Sequence, residues 1–143
     1  MIWEKRYSAG DYQSAFDYWT RAVALGSVRA HFELSTLYGN GKGVEKDERK
    51  GLYHLEKAAI GGCPYARYNL GVIEAENGQG DRAVKHFIIA AKLGDDESLE
   101  RVKDVYKAGL MSKEDFATAL RGYQAAIDTI KSPHREAAAK SGL

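Results

Sequence analysis

The feature that most constrains the fold is a pattern of twelve residues that recurs three times along the chain. The segments Ala15–Gly26, Gly51–Gly62 and Ala83–Gly94 begin 36 and then 32 residues apart. Their shared positions are a small residue (Ala15, Gly51, Ala83), an apolar residue four on (Trp19, Leu55, Phe87), an alanine seven on (Ala22, Ala58, Ala90) and a closing glycine (Gly26, Gly62, Gly94). Residues at the first position and four and seven positions later lie on one face of a helix. Each segment therefore predicts a helix that a neighbour approaches closely and that ends at a left-handed glycine.

A second series with the same offsets precedes each of the later helices. It consists of three triplets, namely Ala30, Leu34 and Leu37, then Ala66, Leu70 and Ile73, then Ser98, Val102 and Val105. Each repeat is therefore predicted to be a helix A, a turn and a helix B. A fainter copy of helix B carries Ala119, Tyr123 and Ala126.

The connections between the paired helices differ in length. Gly39–Asp47 is long and glycine-rich, whereas Asn77–Asp81 is four residues shorter, which accounts for the change from 36 to 32. Ser112 and Asp115 form a capping-box pattern at the start of the last helix. That helix is expected to end near Lys131, because Ser132 is followed by a proline.

Composition limits the classes of function. The 143 residues suit one domain, and the net charge of +1 gives no reason to expect a nucleic-acid or membrane partner. Cys63 is the single cysteine, so an internal disulfide is excluded. With neither a signal peptide nor a membrane span in the sequence, a cytoplasmic location is the expectation.

The segment from Ala30 to Gly71 closely resembles the Sel1-like repeat. The matching residues are Ala30, Leu34, Tyr38, Gly41, Gly43, Val44, Asp47, Lys50, Lys57, Ala58, Ala59 and Gly62. The sequence departs from the family pattern at Ser35, Gly51, His54 and Leu55. The resemblance implies an all-α, right-handed α/α superhelix (solenoid) that acts as a scaffold for protein partners.

The expected layout is about three helix-pair repeats plus a C-terminal capping helix. The repeat domain covers 1–131, with repeat helices at about 1–26, 28–62, 64–94 and 96–131, the last degenerate. Residues 132–143 form a tail that is expected to fray or stay disordered. Ile2 to Tyr7 read as the remnant of a helix A, so residues 1–9 form a cap or the array extends further. Solenoid ends leave apolar faces bare, so end-to-end self-association is a further expectation.

Several residues could take part in chemistry but also fit ordinary structural roles. His54 and His86 occupy the same position in successive helices, which suits either a metal or pH-sensing pair or the half-buried aromatic position of Tyr18. Cys63 would need a base such as His31 to act as a nucleophile, and an incidental thiol is favoured. The glycines from Gly39 to Gly43 lack the Gly-Lys-Ser/Thr of a phosphate loop. We therefore predict no enzyme activity, no metal and no cofactor.

The predicted binding site is the inner wall of the solenoid, which helix A residues outside the packing series would line. These residues are Arg29, Phe32, Thr36 and Asn40, then Tyr65, Tyr68, Val72 and Glu76, then Glu97, Glu100, Asp104 and Lys107. Such a groove would be aromatic at one end and acidic at the other, and would bind an extended or helical peptide. The alternatives are a merely solvated face, a spacer or cap segment of a longer array and, less favoured, a small-molecule binder or enzyme.

If the groove binds a partner, alanine at Phe32 and Tyr68 should abolish capture of that partner and leave the melting temperature nearly unchanged. A pull-down with the wild type and the double variant, read by mass spectrometry, measures the first effect. An unfolded variant or undiminished capture would contradict the groove.

Overall fold

The computed structural model describes residues 9–140, with side chains described for residues 11–131. In this part of the chain every regular element is an α-helix and no strand occurs. The helices are α1 (Ala9–Ala24), α2 (Val28–Asn40), α3 (Glu48–Ile60), α4 (Pro64–Glu76), α5 (Gly80–Lys92), α6 (Asp96–Lys107) and α7 (Lys113–Lys140). The expected helix remnant from Ile2 to Tyr7 lies outside the described residues.

The chain divides into two compact units, Met1–Ala66 and Arg67–Leu143. In the first unit, α2 packs against both α1 and α3. Its core contains Ala15, Leu34 and Leu37, against which Trp19, Tyr38 and other half-buried side chains pack. The packing series predicted for this helix A is therefore confirmed, since Ala30, Leu34 and Leu37 are all buried.

Small residues allow α3 to approach the main chain of α2. Gly51 is buried, and a methyl group there would lie 3.3 Å from the carbonyl oxygen of Ser35 and 3.7 Å from Cα of Gly39. Two turns further, Ala58 is completely buried. Larger side chains at these positions would force the two helices apart, so the small residues set the distance between them.

The second unit repeats this packing. Its core contains Ala83, Phe87, Ala91, Leu99, Val102 and Ala119. The helix predicted as a faint fourth copy, α7, packs against both α5 and α6. Ala119 is buried and Tyr123 packs against the core, so the degenerate copy keeps its apolar face.

Local hydrogen bonds explain where the helices begin and end. The side chains of Ser27, Asp47, Asp95 and Ser112 each accept the backbone N–H three residues ahead, at 2.9 to 3.1 Å. The capping contact predicted between Ser112 and Asp115 is thus present. The closing glycines Gly26, Gly62 and Gly94 have φ of 86°, 97° and 97°, which confirms the predicted left-handed ends.

The long connection of the first unit is held against α1. The helix α2 continues to Asn40, so the loop is shorter than the predicted Gly39–Asp47 turn. Gly43 has φ of 73°, and a methyl group there would overlap the main chain of Tyr12 and lie 2.9 Å from the nitrogen of Gln13. The loop backbone can therefore rest on α1 only if residue 43 is glycine.

The predicted helix end near Lys131 is wrong, because α7 continues through Ser132 and Pro133 to Lys140. Proline removes one backbone N–H, which leaves the carbonyl of Thr129 without its usual partner. Thr129 is exposed, so water can hydrate that carbonyl. The alanine-rich sequence beyond the proline has high helix propensity, which favours continuation over fraying.

Replacing Gly43 with alanine is expected to destabilise the protein more than replacing Gly78. Both have positive φ, 73° and 77°, where alanine costs about 1–2 kcal/mol. Only at Gly43 does the added methyl also meet main chain, since nothing lies within 4 Å at Gly78. This overlap should cost a further amount of about 1–3 kcal/mol. Urea denaturation followed by circular dichroism measures both losses, and equal losses would contradict the predicted overlap.

Candidate functional site

The first unit contains an exposed aromatic patch, which we define as Phe32 on α2 and Tyr65 at the start of α4. Their ring centroids lie 6.2 Å apart. Phe32 is half-buried, whereas Tyr65 is 62% exposed. Neither residue belongs to the packing series, so their rings lie outside the buried seam of the helix pair. The two rings together present apolar area to solvent.

Polar groups surround the aromatic patch on α2. Arg29 lies 3.7 Å from a carboxylate oxygen of Glu33 and stacks over the ring of Trp19, 5.6 Å from its centroid. Burial raises the pKa of Glu33, and Arg29 opposes this shift. The hydroxyl of Thr36 donates to the carbonyl of Phe32 at 3.4 Å. Asn40 is exposed at the end of the helix.

In the second unit, the predicted wall residues of α4 have structural roles. Tyr68 and Val72 pack against the hydrophobic core, and the ring of Tyr68 lies 5.6 Å from that of Phe87. Glu76 is exposed. The packing of this ring on the core argues against the expectation that alanine at Tyr68 would leave the melting temperature nearly unchanged.

The predicted acidic end of the groove lies on α6, where Glu97, Glu100, Asp104 and Lys107 are all exposed. Basic side chains of the same helix reduce its negative charge. Lys103 lies 3.3 Å from Glu100, and Arg101 lies 3.2 Å from Asp104. The structure thus brings Phe32 and Tyr65 together in one unit and Tyr68 and Val72 together in the other. The groove as a whole stays a prediction.

Two polar pairs that sequence reasoning missed lie between helices A and B. In the first unit, Nδ1 of His31 lies 2.9 Å from Nδ1 of His54. In the second unit, Nη1 of Arg67 lies 3.4 Å from Nδ1 of His86. Residue 31 precedes residue 67 by 36 positions, and residue 54 precedes residue 86 by 32, which are the two repeat spacings. That equivalence was the available signal, because both helix A members directly follow the buried alanine of the series.

The histidine environments favour the neutral imidazole. Burial lowers the pKa of His31, with the charge of Lys57 adding to the effect. Burial also lowers the pKa of His54, and His31 adds to it. The ring of His54 stacks on that of Tyr38, with centroids 5.7 Å apart and planes 5° apart. Tyr18, which holds the corresponding position in the first repeat, is 58% exposed rather than half-buried.

Other candidate chemistry finds little support in the described side chains. Among residues 11–131, no three or more His, Cys, Asp or Glu side chains come together as a metal site would require. Cys63 is half-buried with a free thiol. The imidazole of His31, the candidate base for this thiol, is hydrogen-bonded to His54. An open depression on α1 is lined by the exposed residues Asp17, Thr20 and Arg21. None of the helices described between residues 9 and 140 is long and apolar enough to span a membrane.

A family model describes most of the chain. The Sel1 repeat model matches residues 7–27, 28–63 and 64–95. The second match contains α2 and α3, and the third contains α4 and α5. Sel1 repeat proteins are generally scaffolds for protein–protein interactions and are typically not enzymes.

Two curated proteins are similar in sequence. The chain is 25% identical to mouse (Mus musculus) DAP3-binding cell death enhancer 1, over 89% of this chain and 33% of the relative. It is 29% identical to chitin synthase regulatory factor 4 of Schizosaccharomyces pombe, over 59% of this chain and 14% of the relative. The chain thus spans a third or less of the length of these relatives.

Two crystal structures are similar in fold. One is a protective antigen present in uropathogenic Escherichia coli strains and displaying an SLR fold, with a TM-score of 0.62 and 32% identity over 83% of this chain and 26% of that chain. The other is a Sel1 repeat protein from Oxalobacter formigenes, with a TM-score of 0.63 and 27% identity over 82% of this chain and 92% of that chain. The observed helices and these neighbours identify the fold as an all-α solenoid.

The contrast between Tyr68 and Tyr65 can be tested by stability. Tyr68→Ala removes a ring packed on Phe87 and should lower the free energy of unfolding by about 2–3 kcal/mol, somewhat below the cost of a fully buried aromatic. Tyr65→Ala removes an exposed ring and should change it by about 0.5 kcal/mol or less. Thermal denaturation of both variants measures the difference. A Tyr65 variant as unstable as the Tyr68 variant would show that the patch is part of the core.

Proposed function

The chain belongs to the Sel1 repeat family, and from this premise we propose that it binds a protein partner through helix A surface residues of its repeats. The observation that carries the proposal is the aromatic patch of Phe32 and Tyr65. An exposed tyrosine beside a half-buried phenylalanine resembles the anchors that supply most binding energy at protein interfaces. Water is excluded from both rings when an apolar side chain of a partner covers them.

The chemistry of the surface suggests what kind of partner fits. An aromatic or apolar side chain of an extended or helical peptide would contact the patch, and Arg29 beside it favours a partner with a nearby acceptor group. A ligand of the second unit would instead contact α6, where Glu97 has an exposed carboxylate and Glu100 and Asp104 can exchange their intrahelical partners for basic residues of that ligand. Exposed charges of this kind mainly affect the rate of association and the orientation of the partner.

A second candidate function is that of a spacer or cap in a longer repeat array. The coverage of the relatives favours it, because the matched part is 33% of one curated protein and 14% of the other. In that case the helix A surface would be solvated and would bind nothing. The cytoplasmic location and the end-to-end self-association expected from the sequence also stay predictions.

The proposal predicts that Tyr65→Ala weakens binding of a selected peptide by about tenfold or more, equivalent to about 1.4 kcal/mol. Peptides are first selected from a displayed library on the purified wild-type protein, and their affinities are then measured by fluorescence anisotropy. Tyr53→Ala is the matched control, because Tyr53 is a tyrosine of the same unit, 54% exposed, on the helix B α3.

The two candidate functions give different results. Loss of affinity in the Tyr65 variant but not in the Tyr53 variant supports the helix A surface. Equal losses in both variants, or wild-type affinity in the Tyr65 variant, would contradict it. If no peptide is enriched by the folded wild-type protein, the spacer function is favoured instead.

A further inference from the structure

Each unit contains a histidine-based polar pair between a helix A and a helix B, and the two pairs occupy equivalent positions of the repeat. In the first unit the pair is His31 and His54, which join α2 to α3. In the second unit it is Arg67 and His86, which join α4 to α5. All four side chains are half-buried. The buried contacts between these helices are apolar, so the two pairs place polar groups beside an apolar seam.

The His31–His54 hydrogen bond requires that only one of the two Nδ1 atoms carries a proton. A separation of 2.9 Å between the two Nδ1 atoms is a hydrogen-bond distance, so one nitrogen donates and the other accepts. The accepting ring must lack a proton on Nδ1 and carry it on Nε2 if it is neutral. When both rings are protonated, two N–H groups face each other at this distance and two positive charges adjoin, so the hydrogen bond is lost.

The Arg67–His86 contact has the same requirement for a different reason. Arginine has only donors, so Nη1 of Arg67 donates to Nδ1 of His86, and His86 must be the neutral Nε2–H tautomer. Protonation of His86 would place an N–H and a positive charge against a guanidinium that never gives up its own charge. Nε of Arg67 is already buried without a hydrogen-bond partner among the described residues.

The charged and titratable neighbours of the first pair are basic or phenolic. Lys57 acts on His31, and the ammonium of Lys57 also lies 5.6 Å from the ring centroid of Tyr53. Tyr53 meets the ring of His54 edge-on, and Tyr38 stacks on the same ring. Lys50 lies 5.7 Å from the ring centroid of Tyr38. The charge of Lys57 therefore opposes a positive charge on His31, and His31 in turn opposes one on His54.

The charged neighbours of His86 include both basic and acidic side chains. Burial lowers the pKa of His86 and Arg67 lowers it further, while Glu74 opposes the shift and Arg82 adds to it. The carboxylate of Glu74 lies 4.0 Å from Arg82, so part of its charge is already balanced. The net direction at all three histidines is the same, since each pKa lies below the ordinary value of 6.5.

We propose that these two pairs make the packing of the helix pairs sensitive to protons, so that proton uptake breaks both contacts and loosens α2 from α3 and α4 from α5. The inference goes beyond partner binding and does not depend on it. Both pairs would respond to the same fall in pH. In each unit a neutral imidazole lies next to a group, either a guanidinium or a second imidazole, that disfavours its protonation.

The sign of the pH dependence follows from the direction of the shifts. Between the lowered pKa values of the folded protein and the ordinary value of 6.5, the unfolded chain binds more protons than the folded one. The contribution of the neutral histidines to stability is therefore complete above pH 6.5 and is lost as the pH falls through the pKa values of the folded protein. The loss begins as the pH falls below the ordinary imidazole value of 6.5.

The wild-type protein itself tests the proton arrangement. Long-range ¹H–¹⁵N NMR spectra at about pH 8 report the tautomer of each neutral imidazole. We expect His86 to be the Nε2–H tautomer and one ring of the His31–His54 pair to carry its proton on Nδ1. Titration of the same signals should give pKa values below 6.5 for these three histidines. Nε2–H tautomers in both His31 and His54, or ordinary pKa values, would overturn the proposal.

A stability measurement then tests the consequence. The urea midpoint of the wild type should fall between about pH 7.5 and about pH 5.5, which span the ordinary imidazole range. In the double variant His31→Gln and His86→Gln, roughly half or more of this fall should disappear, because neither pair can then hold two charges. An unchanged fall in the double variant, or no fall in the wild type, would overturn the proposal.

Glu33→Gln is the matched control, because Glu33 is a half-buried titratable residue on α2. Its pKa is raised by burial, so its contribution to stability is present at low pH and is lost as the pH rises through that raised pKa. This sign is opposite to that of the histidines. The control variant should therefore keep the whole acid loss of the wild type, and a reduced loss would show that the carboxylate rather than the imidazoles causes the effect.

Discussion

The close approach of the paired helices is the constraint on which the other features depend. Gly51 lies against the main chain of α2, and Ala58 and Ala90 are completely buried. Because the seam is this narrow, its fully buried positions hold small side chains and a few large apolar ones from the other series. Bulky aromatic residues at the remaining helix A positions must either fill the edge of the core or face solvent. The candidate binding surface is thus a consequence of how the seam is packed.

Most of the fold could be predicted from the spacing of alanine, leucine and glycine, because those residues act through the local period of a helix. The binding surface could be predicted less well. Tyr65 follows Arg29 by 36 residues, and Tyr68 follows Phe32 by the same repeat spacing. Of the two tyrosines, only Tyr65 is exposed. The difference arises from tertiary packing, since Tyr68 meets the ring of Phe87. Helical periodicity indicates on which face of a helix a residue lies, but not whether a ring from another helix covers that residue.

The sequence pattern also missed features that involve two distant residues. His54 and His86 were correctly placed in equivalent positions, but their partners depend on which side chain of helix A faces them. The end of α7 was missed for a different reason, because the rule for a residue before proline describes an average preference. In this chain the alanine-rich segment that follows the proline continues the helix to Lys140. The choice of side-chain partner and the end of a helix depend on several small, competing free energies, and a single sequence motif does not report their sum.

The contact between Gly43 and α1 has a consequence for variation among related chains. The hypothetical side chain at residue 43 would overlap the carbonyl group of Tyr12, which every amino acid possesses. Substitution at residue 12 therefore cannot make room for a larger residue at 43. In an alignment of close relatives, position 43 should be restricted to glycine without any compensating change at position 12. Covariation methods would therefore miss this contact.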